Sequence, residues 1–128
     1  SIDSGSNYNV AKTTTFFYAT HSEDDGGGAI EYRTGTDLAQ GTGVQPMMQG
    51  IKGDNDSSGA GYMHLFNPGS TTFVKHFLCT NTLMQDNTLT QNTYIGGYGN
   101  TTSAVDAIQF SVNSGNIDAG TITLYGIN

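Results

Sequence analysis

Three groups of side chains in this 128-residue chain have types and spacing that could do chemistry. The first is Asp54-Asn55-Asp56-Ser57-Ser58-Gly59, with oxygen ligands at alternate positions before a glycine, as in the opening of a calcium loop. The helix-loop-helix form of that loop closes on a bidentate Glu at its twelfth position, which is Leu65 here. The run is therefore expected to be a solvated acidic turn, with a looser calcium loop between Asp54 and Asp56 as the alternative; Glu23-Asp24-Asp25 would add carboxylates if the fold brought it near. The second group is His21, His64 and His76, which are far apart in sequence, whereas zinc needs convergent ligands, so they read as strand residues. The third is Cys79, which follows Phe77 and Leu78 in an apolar run and reads as a small packing residue without the electropositive neighbours that would make a thiolate. No metal ligand and no cofactor is expected.

Catalytic patterns are missing as well. There is no Gly-x-Ser-x-Gly elbow, P-loop or dinucleotide fingerprint, and Gly96-Gly97-Tyr98-Gly99 has no following helix to cradle a phosphate. Most acids fall in Gly/Asn/Ser turns, where carboxylates are solvated, while a general acid needs surroundings that raise its pKa. No catalytic residue is expected, and the chain reads as non-enzymatic. Tyr8, Tyr94, Tyr98 and Tyr125 stand in polar, Asn-rich surroundings. Such rings can stack on sugars or pack against a neighbouring subunit, and subunit contact is the favoured reading.

The elements that would position these residues are short strands. Residues 14–21, 29–34, 62–66, 72–80, 93–98, 105–112 and 121–127 show Thr-rich, aromatic or alternating patterns, and a weaker run at 44–51 contains Pro46, which suits an edge. The most regular pattern is C-terminal. Ile108, Phe110 and Val112 share one face and Ile122 and Leu124 another, opposite Gln109, Ser111 and Thr123, which predicts a hairpin with all five apolar residues in the core. Residues 81–92 read as a long polar loop, residues 36–40 allow one helical turn, and residues 1–13 read as a polar arm ahead of a single domain over 14–128. About eight strands in one antiparallel all-β domain predict a jelly-roll-like β-sandwich.

The charge balance narrows the partners. Eleven acids against Lys12, Arg33, Lys52 and Lys75 give a net charge of −7, with the four cations scattered. Phosphate neutralisation and membrane-surface binding both need clustered bases, so neither nucleic acid nor a membrane is an expected partner. The polar opening residues do not read as a signal peptide, and no apolar run approaches the roughly 18 residues of a membrane helix. Synthesis in a cytosol is expected.

The C-terminal half resembles a family of tailed-bacteriophage virion structural proteins. The resemblance rests on Met63-His64-Leu65-Phe66-Asn67-Pro68 and Thr71-Thr72-Phe73-Val74-Lys75, and above all on the stretch from Ser103-Ala104-Val105-Asp106-Ala107-Ile108-Gln109-Phe110 through Ser114-Gly115-Asn116-Ile117 to Gly120-Thr121-Ile122-Thr123-Leu124-Tyr125-Gly126-Ile127. Gln109 and Thr123 stand where the family commonly has basic residues, and residues 1–60 match poorly. The resemblance implies a β-sandwich virion component without catalytic residues. Together with the small acidic domain, it leads to the expectation of a capsid decoration or cement protein on the outer head, bound to the major capsid protein or another virion protein and self-associated as a homotrimer. The alternative is a receptor- or host-glycan-binding module of a tail fibre or tip.

Overall fold

The computed structural model describes every residue except Asn55, Asn87 and Asn128. The described residues are all-β, with five strands: β1 (Lys12–Ser22), β2 (Gly28–Tyr32), β3 (Gly59–Leu65), β4 (Lys75–Gln85) and β5 (Leu89–Gly99). They form one antiparallel sheet in the order β2-β1-β5-β4-β3, so the first and last strands lie side by side at its centre. β1 owes its length to Thr13-Thr14-Thr15-Phe16-Phe17-Tyr18, a run of β-branched and aromatic residues that suits a pleated surface. β4 and β5 form a hairpin over the register from Lys75↔Gly99 to Gln85↔Leu89. Its turn carries Asp86 in the left-handed region at φ 50° and closes with the Thr88 N–H donating to the Gln85 carbonyl at 3.2 Å.

The core lies on one face of the sheet. Phe16, Tyr18, Cys79, Leu83 and Ile95 are buried there, in register across the three central strands. The same face also buries polar residues: Thr14, Asn81, Gln91, Thr93 and Lys75. The covering layer is irregular chain from residues 33–51, 1–11 and 100–111, and buried polar groups need partners. The Thr93 hydroxyl and the Asn81 amide donate to the Met47 carbonyl at 3.0 and 3.2 Å, and the Gln91 amide reaches the Gln49 carbonyl at 3.5 Å. Thr14 donates to Gln45 Oε1 at 2.6 Å and accepts the Leu38 N–H at 2.9 Å. The Lys75 ammonium donates to the carbonyls of Phe73 (2.6 Å) and Thr101 (3.4 Å), tying two covering segments to the start of β4.

Several expectations are corrected. The fold is all-β and antiparallel, but it is one five-stranded sheet. Residues 81–92 are mostly strand, because the polar residues there that face inward, Asn81 and Gln91, bond to loop carbonyls. Residues 44–51 form no strand, and their carbonyls instead cap the polar core. Residues 36–40 turn without a helix. The C-terminal hairpin is not formed: residues 105–112 and 121–127 are irregular, and Ile108, Phe110 and Val112 are about 40% exposed while Ile122 and Leu124 are 64% and 90% exposed. Alternation makes a strand only where a neighbouring strand supplies backbone partners, and among the described residues none does so here. The beginning of the chain is tied down rather than free. The Ser1 ammonium donates to the Ala107 carbonyl at 2.7 Å, the Ser4 N–H donates to Asp106 at 2.7 Å, and Lys12 and Thr13 already belong to β1.

Candidate interaction face

Among the described residues nothing covers the opposite face of the sheet. The registers place Thr13, Thr15, Phe17, Ala19 and His21 of β1 on it beside Ile30 and Tyr32 of β2, with Tyr62 and His64 of β3 at the far side. Between them lie His76, Leu78, Thr80, Thr82 and Met84 of β4 and Thr90, Asn92, Tyr94, Gly96 and Tyr98 of β5. None of these side chains is a carboxylate, lysine or arginine, although the chain carries fifteen such groups. Asp37 reaches only the margin, where it accepts the Tyr32 hydroxyl at 2.6 Å.

The face is organised by ring contacts between strands. Phe17 and Tyr94 sit opposite each other and stack with centroids 5.0 Å apart and planes 14° apart. Along the β3 side, Tyr62 meets His64 edge-on at 5.4 Å, and His64 stacks on Phe66 at 6.2 Å. His76 and Tyr98 lie 6.0 Å apart. Leu78 stands between these groups, 56% exposed. Five threonines and Asn92 share the rest with Ala19, His21, Ile30, Tyr32, Met84 and Gly96, so the surface offers ring faces, methyl groups and neutral hydrogen-bonding groups. Strand pairing fixes these positions, and such a face can dock against another surface or a neutral polar ligand without desolvating a charge.

The acids gather elsewhere. Glu23, Asp24 and Asp25 join β1 to β2, Asp54 and Asp56 precede β3, and Asp86 turns β4 into β5, all at one end of the sheet. The Asp24 carboxyl is held below its usual value by the Ser22 hydroxyl and the Gly26 N–H, and Asp86 is held low by Lys52, 2.8 Å away. Glu23 and Asp56 line a depression of about 530 Å³ together with His21. Asp25 lies 3.5 Å from the His21 imidazole. The central Asn55 of the calcium-like run lies outside the described residues, and Gly59 is already in β3. Among the described residues no three His, Cys, Asp or Glu side chains converge. His64 and His76 share the outer face but belong to separate ring contacts.

Cys79 lies in the core, where burial pushes its thiol up, with Asn81 as its polar neighbour. An apolar cavity of about 210 Å³ beside it, lined by Met47, Met63, Phe77, Ile95, Ile108 and Phe110, lies between the sheet and its irregular cover. Of the four tyrosines singled out by sequence, Tyr94 and Tyr98 come together on the outer face, Tyr8 lines the cavity, and Tyr125 is in the exposed C-terminal segment. Phe17, Leu78, Tyr62 and Phe66 complete the outer face but gave no separate signal in sequence, because an outward aromatic in a Thr-rich strand reads like an inward one. No family model matches the chain, and no curated protein or solved structure matches it either. Among the described residues no helix is long and apolar enough to cross a membrane.

Proposed function

We propose that this chain is a non-enzymatic virion structural protein, a capsid decoration or cement protein that attaches through the uncovered face of its sheet and assembles as a homotrimer. The observation that carries the reading is the five-stranded face with stacked rings and no ionised carboxylate, lysine or arginine on a chain of net charge −7. A surface left for solvent alone would share in the charge. The virion assignment is supported by the resemblance of the C-terminal stretch ending in Gly120-Thr121-Ile122-Thr123-Leu124-Tyr125-Gly126-Ile127 to tailed-phage virion proteins.

Mass spectrometry of gradient-purified particles carrying the gene tests this directly. The chain should be present at hundreds of copies, and Leu78→Asp, which adds a charge at the middle of the face, should remove it from particles while the purified variant stays folded. Absence of the unaltered chain from particles would overturn the proposal. The stacked Phe17–Tyr94 pair, flanked by Thr15, Thr80 and Asn92, also favours a second reading, a sugar-stacking platform on a tail fibre or tip. That reading expects only tens of copies and saturable binding of host-surface oligosaccharide, lost in Tyr94→Ala.

A further inference from the structure

Among the described residues two features lack partners, and we infer that they are partners of each other between copies: residues 121–127 of one chain add as a sixth strand to the β3 edge of a second copy. The donor is the C-terminal segment. Its last backbone anchors are the Val105 N–H on the Pro68 carbonyl (2.9 Å), the Asp106 N–H on the Ser1 carbonyl (3.1 Å) and the Ala107 carbonyl under the Ser1 ammonium (2.7 Å). From residue 108 onward no backbone hydrogen bond is made among the described residues. Yet residues 121–127 alternate apolar and polar, contain no charge and no proline, and leave Ile122, Leu124, Tyr125 and Ile127 in solvent. That is the composition of a strand added to a sheet edge, where the main chain supplies affinity and alternate side chains supply specificity.

The acceptor is the outer side of β3. The Phe66 N–H donates to the His76 carbonyl and the Met84 N–H to the Ser58 carbonyl, so by antiparallel alternation Ala60, Tyr62 and His64 turn their backbone groups to β4. Gly59, Gly61, Met63 and Leu65 then direct theirs outward, and among the described residues nothing takes them. Natural edges are usually blunted by lysine, proline, a bulge or a cover. The other edge, β2, is five residues long and carries Glu31, with Arg33 just beyond it. From residue 57 to 66 the β3 edge carries no Asp, Glu, Lys or Arg, which matches the uncharged residues 121–127.

A second copy is the occupant rather than the chain's own edge. The C-terminal segment is rooted by Val105 at Pro68 and residues 108–111 share a cavity with Met63 and Leu65, so the chain's own edge is within a few residues of the root. An intramolecular partner at such high effective concentration would be taken first if the geometry allowed it, but Leu124 stays 90% exposed. Residues 113–127 can reach up to about 50 Å at roughly 3.3 Å per residue, well beyond a domain with a radius of gyration near about 14 Å. Each copy gives one strand and receives one, so in a closed ring every β3 edge and every donor segment finds a partner.

The test compares the full chain with one ending at Val112, by sedimentation velocity at tens of micromolar, with far-UV circular dichroism as the check on folding. The full chain should sediment as an oligomer of its 13.5 kDa unit, and the shortened chain as a folded monomer. Tyr62→Lys, a charge placed on the edge, should weaken association about tenfold or more. In an oxidised mixture of Tyr62→Cys chains and Thr123→Cys chains, covalent dimers should join unlike chains, with the native Cys79 silent because it is buried. A monomeric full chain, an unchanged mass after truncation, or a cross-link formed only within a doubly substituted chain would each overturn the exchange. A monomeric chain found on particles would do so while leaving the virion assignment standing.

Discussion

Asp3 shows how one side chain can fix a chain terminus. Its carboxylate accepts the Asn7 amide at 2.6 Å, the Ser1 hydroxyl at 2.7 Å and the Asn7 N–H at 2.9 Å, and these bonds to the charged form hold its pKa down at about 2. A depressed carboxyl contributes stability above its unfolded value, and that contribution is lost as pH falls through the folded one. The window therefore opens near the ordinary 3.8 and closes near 2. Protection of the Gly5 and Asn7 amides, taken against the intrinsic exchange rate at each pH, should be high at pH 5 and fall between pH 4 and 2, while that of amides in β4 and β5 holds. Equal protection of Asn7 at pH 5 and pH 1.5 would contradict the assignment. Tyr18 moves the opposite way: its hydroxyl donates to Glu31 at 2.7 Å, which raises the phenol above its usual value.

At the scale of elements, Gly61 sets how closely β3 approaches β4. A Cβ there would meet the Asn81 side-chain oxygen and lie 2.6 Å from the Thr80 carbonyl, and backbone cannot give way as a side chain can. Gly61→Ala should cost about 1–3 kcal/mol, the usual range for overpacking, read as a lower midpoint in urea with early exposure of β3 amides. The strands were legible wherever side-chain type and burial agreed. β1 was expected nearly in place, because Phe16 and Tyr18 are apolar and buried, whereas the strand expected over 62–66 misses Gly59, Ala60 and Gly61 of β3, which are exposed. The β4–β5 hairpin was not expected, since its inward positions include Asn81, Gln91 and Thr93, whose burial depends on carbonyls of Met47 and Gln49 from 34 to 46 residues away. No local pattern announces a bond of that span. The C-terminal alternation misled in the other direction, because period two specifies that a strand is possible and not which chain supplies its neighbour. The outer face was half legible: Tyr94 and Tyr98 stood out, but their meeting with Phe17 and His76 needed the register.

The whole molecule is polarised, and this sets how association should respond to salt. Glu23, Asp24, Asp25, Asp54, Asp56 and Asp86 crowd one end of the sheet with only Lys52 among them, while the outer face and the C-terminal residues 121–127 carry no ionised carboxylate, lysine or arginine. Copies that meet through the uncharged surfaces gain nothing from ion pairing, and they bring two bodies of net charge −7 together. Repulsion between them acts over the Debye length, which falls from about 30 Å at 0.01 M salt to about 8 Å at 0.15 M. Self-association should therefore strengthen as sodium chloride is raised across that range, and strengthen again with Asp54→Asn and Asp86→Asn, which remove charge from the acidic end without touching the outer face. Sedimentation equilibrium over a salt series measures both effects. Association that weakened with salt would mean that ion pairs join the copies, through Lys12, Arg33 or Lys52, and would place the contact away from the sheet face and the β3 edge.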